Sequence, residues 1–177
     1  MATHIQLRPN DTETVYRVPI EQIRMLKTVS NMIDDIGADA YDMVIPLSNV
    51  NERCLVDVLR CAEHYLHLPP VVPEVKPKGR APVKKARVQK IIFSEWESAF
   101  INLNEDPDFA KARYVLNELC VAANYLDCKQ ILDFFCRLTA NTFTDKTPEQ
   151  IREMYDLPDD IPEEEKARII EEYKHYE

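Results

Sequence analysis

Four residues on one predicted helix have the chemistry of metal ligands: Cys54, Cys61, His64 and His67. Cys61 and His64 are three apart and share a face. Cys54 lies two turns from Cys61, about 10 Å along the axis, so one ion does not bind both directly. Zinc sites also favour a turn-borne pair of cysteines two to four residues apart, and none is present. The four read as packed or surface residues. The carboxylate groups Asp34-Asp35, Asp159-Asp160 and Glu163–Glu165 fall at predicted helix ends or on polar faces, where capping or solvation explains them better than acid–base work. No G-x-S-x-G elbow occurs, and no Cys or Ser has a base at a recognisable spacing. Only two glycines occur, Gly37 and Gly79, too few for a phosphate-cradling loop. The expectation is a protein without catalysis, cofactor or metal.

Composition points to a binding role. The 177 residues are 45% hydrophobic and 30% charged, enough for a core and a solvated surface. No apolar run approaches the ~18 residues that cross a bilayer, and the N-terminus does not read as a signal peptide. The five cysteines are an odd number among apolar neighbours, which predicts reduced thiols in a cytoplasmic or nuclear protein. The net charge of -9 is uneven. Residues 71–90 carry seven Lys/Arg against Glu74 alone, whereas residues 146–177 hold eleven acids against five bases. An acidic body disfavours nucleic acid as the main partner.

The elements around these residues begin with a predicted hairpin, His4–Leu7 and Thr14–Val18, about a turn-rich Arg8–Thr12. Thr28 is placed to cap a helix carrying Val29, Met32, Ile33 and Ile36, with Gly37 as its stop. Asp42–Pro46 reads as a third strand. Asn49 or Asn51 opens a helix whose stripe is Leu55, Val58, Leu59, Ala62 and Leu66, ended by Pro69-Pro70. This predicts an α+β arrangement, a small sheet flanked by helices. Residues 69–90, with five prolines and the basic cluster, read as a spacer, or as a nuclear-localisation or anionic-partner patch around Pro82–Arg87.

From Ser94 the pattern is helical only. Ser94 and Glu97 form a capping box ahead of Trp96, Phe100 and Leu103. Asp106-Pro107 opens a helix carrying Phe109, Ala112, Leu116, Leu119 and Ala123. Asp127 is placed to cap the next, with Ile131, Leu132, Phe135 and Leu138 or Thr139 facing inward. Thr147-Pro148-Glu149-Gln150 combines a cap, an N1 proline and an N3 glutamine before Ile151, Met154 and Tyr155. The last helix begins near Pro162, with Ala167, Ile170, Tyr173 and Tyr176 as its apolar marks. Its stripe, and that of the helix before it, either packs on its own domain or is buried by a partner.

Four ordered blocks resemble a known family. Ala122-Ala123-Asn124-Tyr125-Leu126-Asp127 with Ile131-Leu132-Asp133 resembles the signature of the SKP adaptors, relatives of elongin C with a BTB/POZ-type fold. Pro46–Asn51 is similar to that family's PLPNVN, His64–Pro70 to its helix end before a variable loop, and Lys146–Arg152 to its KTPEEIR segment. The resemblance spans nearly the whole chain. It implies a BTB/POZ-like part over residues 1–70, a basic Pro-rich loop over 71–92, helices completing the core over 93–145, and F-box-binding helices over 146–177.

The implied function is that of a non-catalytic adaptor joining a cullin to F-box substrate receptors in an SCF-type ubiquitin ligase. Carried over by position, Asn124, Tyr125, Asn49 and Val50 face the cullin. Phe135, Cys136, Ile151, Tyr155, Tyr173 and Tyr176 lie at or near the F-box. Three departures stand out: the variable loop is basic rather than acidic, residues lengthen the chain around Asn104–Ala112, and His175-Tyr176 replaces the usual terminal Trp-Cys. The alternative from another class is a self-associating BTB-type structural protein, a homodimer within a larger assembly.

Overall fold

The computed structural model describes residues 4–68, 91–103 and 113–173. The basic segment 69–90, the Asn104–Ala112 stretch with its expected Asp106-Pro107 helix start, and Tyr176 lie outside the described residues. Among the described residues the chain divides into two compact units, one of residues 4–68 with 113–142 and one of 91–103 with 143–173. The helix over 95–103 groups with the C-terminal helices.

The first unit is α+β. β1 (His4–Pro9) pairs antiparallel with β2 (Tyr16–Pro19) and parallel with β3 (Val44–Leu47), giving the order β2-β1-β3. Alternate residues of β1 point inward, so Ile5 and Leu7 are fully buried, joined by Val18 of β2 and Ile45 and Leu47 of β3. The parallel pairing requires a crossover. It is supplied by α1 (Ile20–Ile23), which the sequence reading did not foresee, α2 (Lys27–Ile36) and a 3-10 turn over Gly37–Tyr41. Gly37 stops α2 at φ +78, a conformation that side chains disfavour.

α3 (Glu52–Leu66) is capped by Asn51, whose Oδ1 accepts from the Cys54 N–H at 2.8 Å. Its buried face is Cys54, Leu55, Val58, Cys61, Ala62 and Tyr65. Leu66, expected inside, is 37% exposed because the face is rotated toward the cysteines. α3 packs against α5 (Arg113–Tyr125), where Leu116, Leu119, Ala122 and Ala123 are buried. α6 (Lys129–Phe143) follows, burying Ile131, Phe134, Phe135 and Leu138. Phe134 takes an inward place that the sequence reading gave to Leu132, which is only half-buried.

In the second unit the Ser94–Glu97 capping box of α4 (Glu95–Leu103) forms in both directions, at 2.8 and 3.2 Å. The Thr147–Gln150 box of α7 (Pro148–Tyr155) does the same, at 3.0 and 3.3 Å. α8 (Glu163–Tyr173) begins with three acids that suit its dipole.

Candidate protein-interaction surfaces

The Ala122–Asp127 segment is a helix end built residue by residue. Ala122 and Ala123 are small and buried, which lets α5 lie close to its neighbours. Leu126 is buried behind them, while Asn124 is exposed and Tyr125 half-buried on the last turn. Asp127 then takes φ +50, its N–H bonds the Asn124 carbonyl at 3.0 Å, and the Cys128 N–H bonds the Ala123 carbonyl at 3.0 Å. That pair of bonds is a Schellman ending. Asp127 therefore terminates α5 and does not cap α6 as expected. Burial pushes the Cys128 thiol up to about 12, so it has no thiolate character at neutral pH.

Thr28, expected to cap α2, instead serves this corner. Its hydroxyl donates to the Tyr125 carbonyl at 2.6 Å and its N–H to the Leu126 carbonyl at 3.3 Å. The entry to α3 is fixed to the same unit by the hairpin turn. Asn10 donates from its backbone N–H to the Val50 carbonyl and from its side chain to the Ser48 carbonyl, each at 3.0 Å. Asp11 accepts from the Glu52 N–H at 2.8 Å, and the Tyr16 hydroxyl donates to Glu52 at 2.7 Å. The bond to Glu52, with some burial, raises the Tyr16 pKa. Asn49 is left exposed, while Val50 is fully buried and presents no surface of its own.

Asn51 Nδ2 donates to Glu118 of α5 at 3.0 Å, which ties the two segments together. Glu118, Val121 and Asn124 recur every three residues along α5, and Val121 is 52% exposed. The start of α3 and the outer strip of α5 thus lead to Asn124. The sequence reading missed Glu118 and Val121. The three-residue spacing was visible, but the bond to Asn51 spans distant parts of the chain and has no local signal. Beside the corner, a cavity of about 330 Å³ is lined by residues that include Arg24, Lys27, Asp127 and Lys129.

The second surface belongs to the C-terminal unit. α7 and α8 contain no buried residue. They are held to each other by Asp159, which meets Arg152 of α7 at 3.6 Å and Lys166 of α8 at 2.6 Å. The bond from Lys166 is the main reason the Asp159 carboxyl is held below its ordinary range. Tyr155 stacks on Phe143 at 5.4 Å, with their planes 11° apart. Ile170 and Tyr173 are each 61% exposed and lie on one side of α8, with Leu157 55% exposed in the connection.

Of the residues that the resemblance assigns to the F-box, Ile151 and Tyr155 of this unit are half-buried, and Cys136, on α6 of the first unit, is exposed. Phe135 is 0% exposed, so it supports the α6 surface rather than touching anything beyond it. Cys54 and Cys61 are buried, and burial pushes the Cys54 thiol up to about 12. Among the described residues no three His, Cys, Asp or Glu side chains come together to hold a metal ion. No described helix is long and apolar enough to cross a membrane.

The family model described as the Skp1 family tetramerisation domain matches residues 3–67, and that described as the Skp1 family dimerisation domain matches residues 129–175. The SCF ubiquitin ligase complex proteins SKP1a and SKP1b of Dictyostelium discoideum are each 35% identical over 170 residues, covering 95% of this chain and 92% of theirs. The E3 ubiquitin ligase complex SCF subunit sconC of Arthroderma benhamiae is 33% identical over 144 residues, covering 81% of this chain and 77% of its own. With two family domains in order and relatives matched nearly end to end, the chain belongs to the Skp1 family.

Proposed function

We propose that this chain is the non-catalytic adaptor subunit of an SCF-type E3 ubiquitin ligase, bridging a cullin to F-box substrate receptors in the cytoplasm or nucleus. The observation that carries the reading is the C-terminal surface. α7 and α8 contain no fully buried residue, yet Leu157 and Ile170 present apolar side chains to solvent. Apolar helix faces of this kind are completed by a partner. The F-box receptor is that partner, taken up on this unit by Ile151, Tyr155 and Tyr173, with Tyr176 beyond; the family resemblance adds the exposed Cys136 and buried Phe135 on α6 of the first unit. The cullin takes the opposite role at the α5 corner. There Asn124 supplies a polar anchor and Tyr125 an aromatic one, flanked by Asn49 and backed by buried Val50.

Such a subunit does its work by binding receptor and scaffold at the same time. The test mixes the purified chain with a cullin N-terminal fragment and an F-box peptide and follows complex formation by size-exclusion chromatography. One complex containing all three is expected. A chain that bound neither and ran as a concentration-dependent dimer would establish the second reading, a self-associating structural protein. That reading is kept because the descriptions of both matching domains name self-association.

A further inference from the structure

We propose that Cys120 and Cys136 form a peroxide-oxidisable dithiol that closes to a disulfide between α5 and α6. Cys136 is exposed on α6, and Cys120 is half-buried on the face of α5 turned toward it. The Cys120 sulfur lies 3.6 Å from Thr139 Oγ1, one turn beyond Cys136 on the same helix. The Thr139 hydroxyl also donates to the Phe135 carbonyl at 2.9 Å, so Cys120 Sγ meets a side chain that is itself tied to the α6 backbone. The two thiols are near enough to interact directly, and burial, together with this neighbour, raises the Cys120 pKa.

The two sulfurs therefore have different roles. Exposed Cys136 meets the oxidant first, as its thiolate attacks a peroxide oxygen; an S–O bond forms, the O–O bond breaks, and hydroxide leaves to become water. The Cys120 sulfur then attacks the sulfenic sulfur of Cys136. The S–S bond forms, the S–O bond breaks, and a second water leaves with the Cys120 proton. Two thiols are oxidised by two electrons and one hydrogen peroxide is reduced to two waters. The remaining cysteines, Cys54, Cys61 and Cys128, are buried and serve as unreactive internal controls. The pair is defined by contacts within the first unit and does not depend on the adaptor reading.

The experiment treats the reduced full-length chain with hydrogen peroxide, alkylates it under denaturing conditions and maps the tryptic peptides. Cys120 and Cys128 share one such peptide, so the bridged species is sequenced by fragmentation. The expected product is an intramolecular Cys120–Cys136 bridge that dithiothreitol reverses, with Cys54, Cys61 and Cys128 alkylated. In Cys120→Ser the sulfenic acid on Cys136 persists, and its trapping by dimedone rises about tenfold over the parent chain. Equal trapping in parent and variant, chains cross-linked to one another through Cys136, or direct over-oxidation of Cys136 in the parent would overturn the proposal. The parent map decides the matter even if the variant fails to fold.

Discussion

The Thr28 hydroxyl donates to the Tyr125 carbonyl at 2.6 Å, joining residues 97 apart in sequence. A helix end leaves carbonyls without intrahelical partners, and here α2 supplies the missing donor to α5. The position of Asn124 and Tyr125 thus depends on a residue that bonds the backbone of this corner. Thr28→Val keeps the shape and removes the donor. It should destabilise the chain by about 1–2 kcal/mol in urea unfolding, since a partly buried carbonyl is left unpaired. Cullin affinity should fall as well, with both anchors intact. Unchanged stability and unchanged affinity would together refute this role.

Asn124 is exposed and Tyr125 half-buried. Asn124→Ala should therefore leave the unfolding midpoint within roughly 0.5 kcal/mol of the parent. The double change Asn124→Ala with Tyr125→Ala should weaken binding of a cullin fragment about tenfold or more while sparing an F-box peptide. Isothermal titration with each partner separates the two effects. Equal loss of both would contradict the assignment of this corner to the cullin.

The mirror case is Ile170→Ser with Tyr173→Ser. Both side chains are 61% exposed, and α8 has no buried residue among those described. F-box peptide affinity should drop about tenfold or more, with cullin binding and the thermal midpoint unchanged. Full affinity after this change would place the receptor elsewhere on the chain. Removal of residues 162–177 gives the same expectation in coarser form.

What the sequence made legible follows from the range of the forces involved. Local signals were read well: the Ser94–Glu97 and Thr147–Gln150 boxes and the stop at Gly37 all form as their residue types require. Residues with two local uses were misread. Thr28 and Asp127 have the chemistry of helix caps, but Thr28 is claimed by a carbonyl of another helix and Asp127 by the left-handed end of α5. Leu66 fitted the helical period, yet the buried face of α3 runs through Cys54, Cys61 and Tyr65 and leaves it 37% exposed. The Asn51–Glu118 bond joins two distant segments, and no spacing within one helix announces it. Asn124 and Tyr125 are singled out only by the resemblance of their motif, because periodicity alone makes them an ordinary helix end.

Asp57 offers a prediction in which the direction of the pH effect decides. It sits on the buried face of α3 and is 7% exposed, with Arg60 only at 4.0 Å. Burial raises its pKa above the ordinary value of 3.8, and the nearby Arg60 and Arg53 charges offset this in part. The folded chain then holds the Asp57 proton more tightly than the unfolded chain does. Its stabilising contribution is fully present below 3.8 and is lost as pH rises through the higher folded value. At neutral pH the ionised carboxylate works against the fold. Asp57→Asn removes the titration, so the variant should unfold at a higher urea concentration than the parent at pH 7. That advantage should shrink as pH is lowered toward the ordinary carboxylate range. A variant whose stability tracked the parent in parallel across the same pH series would show that Asp57 carries no such penalty.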